Sequence, residues 1–240
     1  MKSRQFLPLL LAVAMPCLAA HPSDTISTSQ GPLKITPVKH ASVMLEFGGK
    51  VIHVDPWSQG DYTGLPKADV IFITDVHGDH MDPAKISDLK KEGTVIVAPT
   101  AVAQTVSEAV VMANGERKTV AGIQVEAVPM YNLVRGPSAG KFYHDKGRGN
   151  GYVLVLGGKR VYFSGDTEGV PEIKALKNID VAFITMNLPY TMPPEEAAEC
   201  VKAFRPKIVF PYHYRNSDLK VFTEALKDEK GIEVRLRDWY

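Results

Sequence analysis

Two kinds of hydrophobic pattern follow one another along this chain. Short β-type runs come first, at 33–38, 42–47 and 51–55, and Gly48-Gly49 between the last two is a hairpin turn signal. The run at 69–74 holds four consecutive apolar residues, Val70 to Ile73, as in a strand buried on both faces. A helix is predicted over 83–92, where Asp82 can cap, Pro83 takes the first position, and Ile86 and Leu89 are three apart. A strand at 94–98, a second helix at 99–109 and strands at 118–120 and 123–128 follow. Residues 129–150 show no period, and a loop of that length in a compact domain is usually functional or mobile. A second hairpin, 151–156 and 160–164, turns at Gly157-Gly158. Strand 181–185, helix 194–203, strand 207–211, helix 217–227 and strand 232–236 then alternate. Both halves therefore run from hairpins into strand–helix units. That predicts an α/β fold of two similar halves, each a sheet covered by helices on its outer face: a four-layer αββα sandwich.

The first twenty residues stand outside this pattern. Lys2 and Arg4 precede an apolar run from Phe6 to Met15, and the small residues Ala19 and Ala20 follow, which is the layout of a secretory signal peptide. The run is short for a membrane span, Pro8 and Pro16 oppose a buried helix, and Met15-Pro16 before Cys17 is a poor lipoprotein match. We therefore expect a signal peptide at 1–20, a flexible Ser/Thr/Pro-rich leader at 21–32 and a single domain at 33–240. A periplasmic or secreted protein without a stable membrane anchor follows. Signal removal takes Cys17 with it, so Cys200 would be the one remaining cysteine and no intramolecular disulfide could form. Its neighbours suggest the buried face of a helix. With an apolar fraction of 45% and a formal charge of +1, the chain can bury a core and has no global attraction to nucleic acid.

Candidate chemistry concentrates directly after the 69–74 run. Thr74-Asp75-Val76-His77-Gly78-Asp79-His80 packs two imidazoles and two carboxylates into one turn. These side chains bind a borderline divalent cation such as zinc. Helix capping alone explains one aspartate of the region, not this density. Two later strands also end in such groups: Ser164-Gly165-Asp166-Thr167 and Pro211-Tyr212-His213-Tyr214. Ligand sites of open α/β sheets lie at the carboxyl ends of strands.

The Asp-x-His-x-Asp-His run, the Ser-Gly-Asp-Thr strand end and the late His213 resemble the metallo-β-lactamase-fold superfamily of metallohydrolases. His40-Ala41-Ser42, Val54-Asp55-Pro56 and Tyr190-Thr191-Met192 are similar to the branch that includes ascorbate-phosphate lactonase-like proteins and the N-acyl ethanolamine phospholipase D. The resemblance implies one or two divalent metal ions, zinc first, with manganese or iron as alternatives. It assigns Asp79, His80, Asp166 and His213 to one metal, with Asp166 bridging and Asp79 also orienting the attacking group. His77 would serve the other. There the family's first histidine is replaced by Asp75 and its third by Asn132, so His144, later in the same loop, is the substitute ligand to consider. More oxygen among the ligands favours a harder cation. His40, Asp55, Asn132 and Tyr190 would support the ligands or face the substrate. Arg135, Lys141, Lys146 and Arg148 could draw in an anion or could be a solvated basic loop.

The expected function is an exported hydrolase in which a metal-bound hydroxide attacks an ester, lactone or phosphodiester of a small molecule. The altered first site keeps a non-catalytic, metal- or ligand-binding relative as the alternative, and a β-lactamase is the weaker third reading.

Overall fold

The computed structural model describes residues 21–240, and the expected signal peptide lies outside the described residues. Seven strands make the first sheet, in the order of the chain: β1 (Asp24–Thr28), β2 (Gly31–Lys39), β3 (Ser42–Phe47), β4 (Lys50–Val54), β5 (Val70–Phe72), β6 (Val95–Ala98) and β7 (Val110–Val111). The second sheet also has seven strands: β8 (Arg117–Val120), β9 (Ile123–Met130), β10 (Gly149–Leu156), β11 (Lys159–Phe163), β12 (Val181–Thr185), β13 (Ile208–Tyr212) and β14 (Glu233–Val234). Each sheet begins with antiparallel hairpins and ends in parallel strands. Helices α1 (Pro83–Leu89) and α2 (Thr100–Ala103) belong to the first half, and α3 (Pro171–Lys174), α4 (Pro194–Phe204) and α5 (Leu219–Leu226) to the second.

Burial resolves these elements into four layers. Leu33, Ile35, Val43, Leu45, Val54 and Phe72 of the first sheet meet Val125, Leu154, Phe163, Phe183 and Phe210 of the second in a shared core. Alternate residues of the same strands point outward. Ile71, Ile73 and Ile96 lie under Ile86 and Leu89 of α1. Tyr162, Ala182, Ile184 and Val209 lie under Ala197, Val201, Phe204 and Phe222 of α4 and α5. The period of two on the strands and the apolar stripe on the helices build this αββα sandwich. Phe163, Phe183 and Phe210 stack across β11, β12 and β13 with centroids 4.5 and 5.0 Å apart, the offset separation aromatic pairs prefer.

Two expectations need correction. Residues 24–28 are not a leader: they form β1, which pairs with β2 and buries Ile26. Asp24 is fixed there by Arg235 and Arg237. The alternation in Asp24-Thr25-Ile26-Ser27-Thr28 is a strand signal that the Ser/Thr content obscures. The predicted helix 99–109 closes after Ala103 and gives way to turns leading to β7, because Pro99 caps it with no side-chain acceptor and the stretch holds β-branched Thr105 and Val106. Cys200 is buried and free, within α4. Among the described residues no helix is long and apolar enough to cross a membrane.

The topology places the chemistry. β5 of the first sheet and the parallel strands β11, β12 and β13 of the second end at the same edge of the sandwich, where the loops at 73–82, 164–170, 186–193 and 213–218 gather with the loop after β9. Backbones approach closely at this edge. Gly165 has φ +60°, and a Cβ on it would lie 2.4 Å from Met130 Sδ, so only glycine fits.

Candidate metal centre

The β5 loop, the β11 end and the β13 end bring their imidazoles and carboxylates to one cluster. His80 Nε2 lies 3.4 Å from Asp166 Oδ2, and His213 Nε2 lies 3.2 Å from Asp166 Oδ1. His144 Nε2, from the loop after β9, reaches Asp166 Oδ2 at 3.2 Å. Asp166 therefore stands between two groups of possible ligands. His80, Asp166 and His213 form one, Asp75, His77 and His144 form another, and within each group the ligand atoms lie within 4.8 Å of one another. That is close to the span of about 4 Å across an ion with bonds of about 2.0–2.2 Å. Asp79 borders the first group, with its carboxylate 3.6 Å from His213 Nε2 and 4.0 Å from His80 Nε2.

The ligand atoms converge on a common space. His80 Nε2, His144 Nε2, His213 Nε2 and Asp166 Oδ1 are buried and make no aligned hydrogen bond. Unpaired buried polar atoms are costly and rare, and four converging in one place fit a cation. The far sides of two rings are tied down. His144 Nδ1 donates to Asn132 Oδ1 at 2.7 Å, and His80 Nδ1 donates to Asp55 Oδ2 at 2.9 Å. Each bond puts the ring proton on Nδ1 and leaves Nε2 free to ligate, the role such partners play behind metal-bound histidines. Asp55 is itself held by the Thr74 amide and hydroxyl at 2.7 and 2.6 Å.

His40, Asp55, His213 and Arg215 all adopt positive φ, and all stand around the cluster. Left-handed backbone at a residue with a Cβ is unfavourable and collects at functional sites. Neighbouring bonds hold it: the His40 amide donates to the Trp239 carbonyl and the His213 amide to the His40 carbonyl, both at 3.0 Å.

Electrostatics shape the protonation. Burial works against charge on His80, but Asp166 and Asp55 on either side outweigh it and hold the imidazole pKa well above its ordinary value. Burial also raises Asp79, yet the nearby His213 imidazole, the hydrogen bond from His40 and the charge of His80 keep its carboxyl far below the usual range. Asp75 is buried too, and is held low by His77, His80, Arg148 and His144. Burial pushes His40 down to about 4, so it is neutral and donates from Nε2 to Asp79 Oδ2 at 3.0 Å.

The remaining expected site residues fall as follows. His77 is half-exposed and meets Asp75 at 2.8 Å. Arg148 grips Asp75 with two bonds, 3.1 and 3.0 Å. Asn132 does not enter the cluster; it orients His144 and donates to the Tyr190 carbonyl at 2.8 Å. Tyr190 is exposed and, against Tyr143, walls a cavity of about 250 Å³ that opens over His77, Asp79, His144 and Asp166. His53 of β4, not among the expected residues, lies apart from the cluster and is bonded to the Pro66 carbonyl at 3.0 Å. Of the loop bases, Arg135 pairs with Glu168 and Glu196, and Lys146 with Glu172. Sequence reasoning missed Glu168, which directly follows the Ser-Gly-Asp-Thr strand end. Its buried carboxylate accepts the amides of Leu133, Val134 and Arg135 at 2.8–3.1 Å and fixes the loop that carries Asn132. It also missed Tyr240 and Arg215, for which the sequence offers only an aromatic pair at its end and a base beside His213.

Comparisons with known proteins agree with this architecture. The β-lactamase superfamily domain profile matches residues 34–213. A curated metal-dependent hydrolase of Thermococcus kodakarensis is 30% identical over 221 residues, covering 84% of this chain and 96% of the relative. Another, from Thermus thermophilus, is 30% identical over 210 residues, covering 81% and 91%. Among solved structures, a candidate metal-dependent hydrolase of Parabacteroides distasonis superposes with a TM-score of 0.86 at 43% identity, covering 92% of this chain and all of that one. The metallo hydrolase Igni18 of Ignicoccus hospitalis shares the fold at 23% identity, with a TM-score of 0.73 and coverage of 86% and 95%.

Proposed function

Because this chain belongs to the metallo-β-lactamase superfamily, we propose that it is an exported metal-dependent hydrolase acting on an ester, lactone or phosphodiester bond of a small molecule. One observation carries the reading: buried ligand atoms of His80, His144, His213 and Asp166 converge without hydrogen-bond partners. His80, Asp166 and His213 would hold one cation, and Asp75, His77 and His144 a second, zinc first and manganese or iron where the Asp75 carboxylate tells. A divalent cation in this place supplies Lewis acidity and brings the pKa of a water down to about 7. The chain's own residues do the rest. Asp79 is ionised, partly exposed at the cavity wall and steadied by His40, so it can accept a hydrogen bond from a water and orient it toward the substrate. Asn132 and Asp55 lock the ring orientations. Tyr143 and Tyr190 confine the substrate beside Asp79. The signal-like residues 1–20 support action in the periplasm or outside the cell.

Arg148 favours a second reading. It occupies both Asp75 oxygens, which weakens the first cation site and would suit a ligand-binding relative. Metal content, with turnover of p-nitrophenyl acetate, a γ-lactone and bis(p-nitrophenyl) phosphate, decides between them. The hydrolase reading expects bound metal, turnover of at least one substrate and its loss in Asp166→Asn and His213→Ala. Metal-loaded protein inert to all three is the binding relative, and metal-free protein whose variants match wild type sinks both.

A further inference from the structure

Arg215 follows His213 by two positions and stands where three cavities meet. It lines the cleft of about 250 Å³ over the cluster, a hollow of about 390 Å³ beside Trp57 and Tyr240, and a groove of about 590 Å³ beside Pro189 and Ser217. Two further arginines carried by the loop after β9 are occupied, Arg148 by Asp75 and Arg135 by Glu168 and Glu196. The Arg215 side chain is exposed, and among the described residues no carboxylate lies within salt-bridge distance of it.

Its position is built rather than incidental. Arg215 has φ +41°, a conformation that needs support in any residue with a Cβ. The support comes from the end of the chain. The Arg215 amide donates to the Tyr240 hydroxyl at 2.7 Å, and that hydroxyl lies 2.6 Å from His40 Nδ1. The Asp79 carboxylate only accepts, so His40 carries its proton on Nε2, its Nδ1 takes the phenol proton, and a phenol lone pair remains for the Arg215 amide. One chain of bonds thus ties Arg215 to Tyr240, His40 and Asp79.

We propose that the substrate is an anion, bearing a carboxylate or phosphate beside the bond that is cleaved, and that Arg215, positioned by Tyr240, selects it. This rests on the hydrolase reading. A guanidinium fork matches either oxyanion bidentately. Charge balance points the same way. Of the charged groups that line the cleft, Asp79 and Asp166 are outweighed by Arg215 and a single divalent cation, while Asp75 is paired with Arg148 and Asp55 lies behind His80, so the lining of the loaded cleft is net positive and favours anions. Without Arg215 a singly loaded cleft would be neutral.

The test uses the zinc-loaded chain with inorganic phosphate and succinate as probes, followed by calorimetry. Arg215→Ala is expected to weaken binding of at least one probe about 10- to 100-fold, the range of a charge-assisted bond, with metal content unchanged. Arg215→Lys should recover part of the loss. Arg215→Gly suits the left-handed backbone and guards against misfolding. Tyr240→Phe, which removes only the hydroxyl, should fall between wild type and Arg215→Ala. Loss for phosphate alone identifies a phosphorylated substrate, and loss for succinate alone a carboxylate. The preference for mono-p-nitrophenyl succinate over p-nitrophenyl acetate should collapse in Arg215→Ala. Unchanged affinity for both probes in folded, metal-loaded Arg215→Ala and Arg215→Gly overturns the proposal and leaves the hydrolase reading intact. If wild type hydrolyses neither ester, the hydrolase reading suffers while the titrations still decide on Arg215.

Discussion

Asn132 shows how one residue can orient a candidate ligand without joining the cluster. It stands where the family resemblance expects a third histidine, and the structure uses it instead as the acceptor for both the amide and Nδ1 of His144. Asn132→Leu would leave these two buried donors unpaired and free the ring to turn. Loss of a partner behind a ligating histidine typically weakens metal binding about 10–100-fold. We expect that loss at the site of Asp75, His77 and His144, with the cation at His80, Asp166 and His213 retained. Metal content after dialysis against graded chelator gives the answer, and full retention of two equivalents would show that Asn132 does not serve His144. At this scale the sequence was uneven. Asp75, His77, Asp79 and His80 are adjacent in the chain, so their meeting needs no long-range knowledge. His144 lies twelve residues from Asn132 in a loop without period, and only its residue type marked it. Arg148, Glu168, Arg215 and Tyr240 act through contacts that no spacing reveals, because each bridges separate loops.

Elements were more legible than their ends. Strands with four or more apolar residues and helices with Asp82-Pro83 or Pro194 at their start stand close to where the hydrophobic period predicts them. The short pieces α3, β7 and β1 escaped, since two to five residues carry too little periodicity to separate from turns. β1 matters despite its length. Ile26 enters the core between the sheets, Asp24 takes both Arg235 and Arg237, and the Ser29 amide and hydroxyl reach the Gly157 carbonyl at 3.2 and 2.8 Å. The strand thus joins both halves at their edge. Removing residues 21–30 should cost at least about 2 kcal/mol, the value of one buried isoleucine. Denaturant unfolding of chains that begin at residue 31 and at residue 21 measures it. A difference under about 0.5 kcal/mol, as for ordinary surface changes, would return these residues to the status of a leader.

The sandwich as a whole exists to hold mutually attractive charges at one edge, and that arrangement makes stability depend on both pH and metal. Asp75, Asp79 and Asp166 are held below the ordinary 3.8. Their contribution is present above that value and is lost as pH falls through their lowered folded values. His80 is held above the ordinary 6.5. Its contribution is full below pH 6.5 and is lost as pH rises toward its raised folded value, with a slope of about 1.4 kcal/mol per pH unit. The metal-free protein should therefore be most stable in mildly acidic solution and weaken above pH 6.5. A cation needs the neutral imidazole, so binding expels the His80 proton and tightens as pH rises. Ligand stabilisation reaches about 2.7 kcal/mol at a hundred times Kd, which replaces what the metal-free protein loses. The gap in melting temperature between zinc-loaded and chelator-treated protein should consequently widen from pH 6 to pH 8.5. A gap that stays constant or narrows over that range would mean that His80 is not protonated between Asp55 and Asp166, and the charge arrangement inferred for the whole edge would have to be redrawn.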